Sequence, residues 1–91
     1  MLRMLVKMFE GEGPRLREEV RRAVAQQDAV LLHRMAHTLK GALNSLGATP
    51  VAALALELET MGCGGDFARA PETFSALEDA LGRLETELNQ L

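Results

Sequence analysis

His33, His37 and Lys40 are the residues of this chain whose types and spacing suit chemistry at a nucleophilic nitrogen. A neutral imidazole attacks an activated phosphoryl group, and an imidazole in water, with an ordinary pKa near about 6.5, is mostly neutral at pH 7. A lysine ammonium one helical turn away on the same face pairs with the phosphoryl oxygens once they arrive. His37 and Lys40 stand at that spacing, and Gly41 follows at once. An interior helical glycine costs about 1 kcal/mol relative to alanine. Beside an imidazole it leaves a bare spot through which a partner can approach, which a larger side chain would crowd.

At about 100° per residue, Leu32, Met35, Leu39, Leu43 and Leu46 fall on one side of a helix through this stretch. His37 lies almost opposite, with His33, Arg34, Lys40, Gly41 and Asn44 on its own side. The pattern predicts an imidazole held in solvent from mid-helix, in a basic neighbourhood without a carboxylate. Arg34 and Lys40, with His33 beside them, make that neighbourhood basic. His33 and His37 also have the i, i+4 spacing of two metal ligands, but zinc takes three or four, and no third His or Cys is placed beside them. Neither a metal nor a cofactor is expected.

The rest of the chain reads as scaffold for that helix. Met1, Leu2, Leu5, Val6 and Phe9 predict a short first helix, stopped by Gly11-Glu12-Gly13, with Pro14 opening a second. Leu16, Val20, Ala23 and Val24 give the second helix its apolar stripe; Arg15, Arg17, Arg21, Arg22, Glu18 and Glu19 form its solvated face. Asp28 is the expected N-cap of the histidine-bearing helix, which runs to about Leu46 and stops at Gly47. Thr49-Pro50 restarts the chain as N-cap and first helical residue; Val51, Leu54, Leu58 and Met61 form the next stripe, and a loop follows over Gly62 to Asp66. Phe74, Leu77, Leu81, Leu84, Leu88 and Leu91 mark a last helix, with Pro71 near its start. Four amphipathic segments joined by short loops, with a short helix in front, predict an all-α, up-down antiparallel four-helix bundle with an additional N-terminal helix.

Ninety-one residues suit one domain spanning 1–91. With 47% apolar residues but only 3% aromatic, the core must be aliphatic. The net charge of −3 argues against nucleic-acid binding. Cys63 is the only cysteine, so no internal disulfide forms, and with no segment apolar and long enough for membrane insertion the cytoplasm is the expected location. In its Gly-rich run Cys63 reads as a small surface residue.

The run His37-Thr38-Leu39-Lys40-Gly41-Ala42, with Leu46-Gly47-Ala48 after it, resembles the signature of histidine-containing phosphotransfer (HPt) domains of two-component phosphorelays. That pattern is His, any residue, an apolar residue, Lys, Gly and a small residue, then an apolar residue and Gly several positions on. The likeness extends to Asp28 before the helix, to Leu54 and Leu58-Glu59 after it, and to the long closing helix. Leu43 is larger than the small residue the family often carries there, but it falls on the core side.

The resemblance implies a bundle whose His37 accepts a phosphoryl group from a receiver-domain aspartate and passes it to another receiver. It implies a phosphoryl carrier without independent turnover, not an enzyme, the Mg2+ and the acidic pocket belonging to the receiver. The expected partner is a receiver (response-regulator) domain, free or within a hybrid sensor histidine kinase, and the chain is expected to be a monomer. The alternative is a bundle that docks a receiver or another signalling partner without transfer.

Overall fold

The structure is a computed structural model that describes residues 2–90, with side chains from residue 11 onward. Four helices account for nearly all of it: α1 (Leu2–Gln26), α2 (Ala29–Ser45), α3 (Thr49–Gly64) and α4 (Ala70–Leu88). Each packs chiefly against two others, α1 on α2 and α4, and α3 on α2 and α4. The ring encloses an aliphatic core of Leu16, Val20, Leu32, Leu39, Leu43, Leu58, Leu77 and Leu81, closed by Phe74 and small alanines.

The expected break between a short first helix and a second does not occur. Leu2–Gln26 is one helix with Pro14 inside it. The physical reason is the buried row. Gly13, Leu16, Val20 and Ala23 are all buried at three- and four-residue intervals, so the core-facing stripe runs straight past the proline, whose ring is exposed. Packing along that stripe outweighs the lost backbone hydrogen bond at Pro14. The expected Met1 to Phe9 side-chain stripe lies outside the described residues.

Asp28 caps α2 as its position suggests, its carboxylate accepting a hydrogen bond from the Leu31 backbone N–H at 3.1 Å. At the other end Gly47 adopts φ 76°, a left-handed conformation that turns the chain at once into α3. Two other boundaries differ from expectation. Ala48, not Thr49, is the N-cap of α3, and it makes no side-chain cap; Pro50 still sits in the first turn. The run from Gly62 is not a loop at its start, because α3 continues through Gly64. It ends at Gly65, which takes φ 68° and returns its N–H to the Gly62 carbonyl, while the Asp66 N–H returns to Met61. Those two bonds satisfy carbonyls that a frayed helix end would leave unpaired, which carries the helix further than its glycine content suggests.

The arginine face of α1 behaves as a solvated surface. Arg15 pairs with Glu12, Arg21 with Glu18 and Arg22 with Glu19, each one turn apart, and Arg17 reaches Glu85 of α4 at 3.7 Å. Pairs as exposed as these contribute little to stability.

Candidate functional site

The site is built where α2 and α3 lie against each other, the most extensive helix pair of the fold. On α2, Leu32, Ala36, Leu39 and Leu43 are fully buried. That anchors the helix on its apolar side and leaves the side chain of His37, on the other, 64% exposed. On α3 the buried row is Ala52, Ala55, Leu58 and Gly62, with Val51, Leu54 and Met61 only half-buried. Small residues therefore bring α3 close to α2. At Gly62 the approach leaves no room for a side chain: a Cβ there would lie 2.6 Å from the His33 backbone nitrogen and 3.0 Å from the Ala29 carbonyl oxygen.

Glu59 stands between Ala55 and Gly62 on this ridge, so its carboxylate is carried directly to α2. Its Oε2 accepts a hydrogen bond from His37 Nδ1–H at 3.1 Å, and its Oε1 meets Lys40 Nζ at 2.8 Å. Its backbone carbonyl accepts a longer bond from His33 Nδ1–H at 3.4 Å. One residue of α3 thus holds three side chains of α2. The expectation of a site without a carboxylate is corrected here, because Glu59 arrives from a helix that a wheel drawn for α2 alone does not include.

The Lys40 ammonium and the hydrogen bond from His37 hold the Glu59 carboxyl below its ordinary value of 4.5, against the opposing effect of burial. With its side chain only 15% exposed, Glu59 is ionised at neutral pH, and its Oε1 is fully shielded from water, the contact with Lys40 being an ion pair rather than an aligned hydrogen bond. A carboxyl whose pKa is depressed by folding stabilises the fold above its unfolded value, and that contribution is lost as the pH falls through its folded one. Melting temperatures of wild type and Glu59→Gln should therefore converge as the pH drops from about 5 to about 3, wild type losing more over that window. Parallel curves would mean that the ion pair contributes nothing.

Among the residues singled out from sequence, His33, His37 and Lys40 gather at Glu59. Their two imidazoles are stacked, with ring centroids 6.5 Å apart and planes inclined by 19°. Lys40 is held against α3 rather than free in solvent, with 24% of its side chain exposed. Arg34, Gly41 and Asn44 are exposed on the same face of α2 but are not drawn into this cluster. A Cβ added at Gly41 would meet nothing within 4 Å, so packing within this chain does not require glycine there. No group of three or more His, Cys, Asp or Glu side chains arranged to hold a metal is found among the described residues.

Glu59 is the residue missed by reading α2 alone. Its signal was the row of small residues Ala52, Ala55 and Gly62 at helical spacing, into which Glu59 falls as the one charged member.

A family model for the Hpt domain matches residues 4–87 of the chain. The chain belongs to the Hpt domain family. Hpt domains are phosphocarrier modules that interact with receiver domains, and membership supports a histidine phosphotransfer role in a phosphorelay. Histidine-containing phosphotransfer protein B (HptB) from Pseudomonas aeruginosa PAO1 is similar in structure to this Hpt domain, with a TM-score of 0.91 and 25% identity over 96% of this chain and 76% of that one. No curated protein matches in sequence. Among the described residues of the Hpt domain, no helix is long and apolar enough to cross a membrane.

Proposed function

We propose that His37 is the phosphoacceptor, taking a phosphoryl group from the aspartate of one receiver domain and giving it to that of another. The observation that carries this reading is the bond from His37 Nδ1–H to Glu59 in a side chain otherwise turned to solvent. An ionised carboxylate only accepts, so Nδ1 keeps the proton and the Nε2 lone pair is left free. Nε2 attacks the phosphorus, the N–P bond forms, and the P–O bond to the aspartate breaks with its electron pair returning to the carboxylate. No proton has to move, because Nδ1 keeps its own throughout. The positive charge that develops on the ring lies against Glu59, where ion pairing stabilises it. Lys40 has N–H donors beyond its contact with Glu59 and offers them to the phosphoryl oxygens. Transfer to the second receiver is the same step reversed.

In this reading residues 1–91 act as one unit, an up-down antiparallel bundle, whose rigidity keeps the imidazole outward. Arg34 and His33 add positive charge for an acidic receiver face, while Gly41 and Asn44 leave room and a polar edge for docking. The protein carries phosphoryl groups without turning over a substrate, and it works in the cytoplasm as a monomer or as part of a hybrid kinase.

Incubation with a phosphorylated receiver should transfer an acid-labile, alkali-stable label to the wild-type chain. A chain that binds the receiver and stays unlabelled would favour docking without transfer. Gly41→Leu should keep the helical circular dichroism of wild type, because the added side chain enters open space, yet slow receiver-to-domain transfer about tenfold or more by obstructing docking. Loss of helical signal would make Gly41 a packing residue instead.

A further inference from the structure

Val30 is a large apolar side chain left 70% exposed, in the first turn of α2. It precedes His37 by seven residues, which on a helix places it about 20° from the same azimuth and about 10 Å along the axis. Between Val30 and the end of α3 lies an open, mainly apolar groove whose walls are Val30, His33 and the Gly62–Gly65 turn. His33 belongs to both places: it lines this groove and its ring stacks on His37. The groove is therefore continuous with the site.

We propose that this groove is a second anchoring point for the receiver domain, taking an apolar side chain of that partner while its aspartate addresses His37. The proposal rests on His37 being the phosphoacceptor. A protein interface of ordinary size covers about 800 Å2 on each partner, a disc of about 16 Å radius, so a receiver centred on His37 reaches Val30. Apolar pockets that become fully desolvated carry most of the affinity in such interfaces. On the other side of His37 the ridge offers Gly41, Asn44 and Ser45, all exposed, with no apolar side chain among them. Along α2, the large exposed apolar side chain is therefore Val30, at the N-terminal end. The turn is suited to close contact because Gly64 and Gly65 present no side chains.

Two variants test this from opposite directions. Val30→Asp places a charge at the groove, and an acidic residue in the first helical turn suits the helix dipole, so the fold is kept. Gly64→Leu adds bulk at a position where a Cβ meets nothing within 4 Å, obstructing the groove from its rim. The probes are receiver domains of the same genome, phosphorylated with a small-molecule donor and chosen for labelling wild type. Both variants should raise the receiver concentration for half-maximal transfer about tenfold or more while leaving the saturating rate within about twofold. Wild-type concentration dependence in both, with Gly41→Leu still impaired, would overturn the groove and leave the phosphoacceptor standing. A lowered saturating rate at unchanged concentration dependence would overturn it too, since the groove would then act on the chemical step. Conversion of a wild-type dimer to a monomer by Val30→Asp, with transfer unaltered, would assign the groove to a second copy and overturn the receiver. If no receiver labels the wild-type chain, the phosphoacceptor reading itself fails and this proposal falls with it.

Discussion

His37→Gln should reduce phosphoryl transfer from receiver to domain to background while leaving the protein folded. The expectation separates two quantities that most substitutions mix. Transfer depends on an imidazole nitrogen with a free lone pair, and glutamine has no nucleophile of comparable strength to put in its place. Stability depends on the apolar side of α2, where Leu32, Ala36, Leu39 and Leu43 are fully buried and the substitution touches none of them. The side chain of His37 is 64% exposed, and Glu59 retains its pairing with Lys40 when the imidazole is gone. The change in unfolding free energy should be no more than about 1.5 kcal/mol, the worth of the one hydrogen bond to Glu59 that the substitution weakens. Urea unfolding and a labelling assay on the same preparation check both halves. Retention of label in His37→Gln would move the acceptor elsewhere.

The second large effect is on the frame rather than the nucleophile. Gly62→Ala adds only a methyl group, but that carbon would stand 2.6 Å from the His33 backbone nitrogen and 3.0 Å from both the His33 Cα and the Ala29 carbonyl oxygen. These atoms are backbone, not the end of a flexible side chain, so relief requires α2 and α3 to part. Overpacking of that kind costs about 1–3 kcal/mol, which for a domain of this size lowers Tm by about 4–8 °C per kcal/mol. The parting also pulls Glu59 back from His37, so transfer should weaken together with stability. Gly41→Ala is the control. Its Cβ enters open space, and the helix gains up to about 1 kcal/mol from the replaced glycine. Two glycines in adjacent helices should therefore respond to the same substitution with opposite sign, measurable by thermal denaturation.

The two glycines also show what the chain discloses before it is folded. Gly41 could be assigned to an open face from its angle on the α2 wheel alone, because α2 separates apolar and polar sides cleanly. Its N-cap Asp28 and its exit at Gly47 were legible for the same local reason, and both hold in the structure. α3 is different. Its apolar residues are distributed over nearly all sides, so of the expected stripe Leu58 is fully buried while Val51, Leu54 and Met61 are half-buried, and the ridge of small residues Ala52, Ala55 and Gly62 faces α2 instead. Glu59 is marked in the sequence only by the family resemblance for that reason: whether a helix delivers a carboxylate to its neighbour depends on which ridge faces inward, which is a property of the pair. The continuity of α1 is a similar case, Gly11, Gly13 and Pro14 being local stop signals that the buried row on one side of the helix overrides.

What joins these observations is a division of labour between the two ring nitrogens of His37, Nδ1 tied to Glu59 and Nε2 left to the phosphoryl group. The direct measurement is nitrogen–phosphorus correlation NMR on the phosphorylated chain with labelled histidines. The spectrum should show a single phosphohistidine, on His37, with phosphorus bonded to Nε2 and a proton retained on Nδ1. Phosphorus on Nδ1 of His37, or on His33, would contradict it.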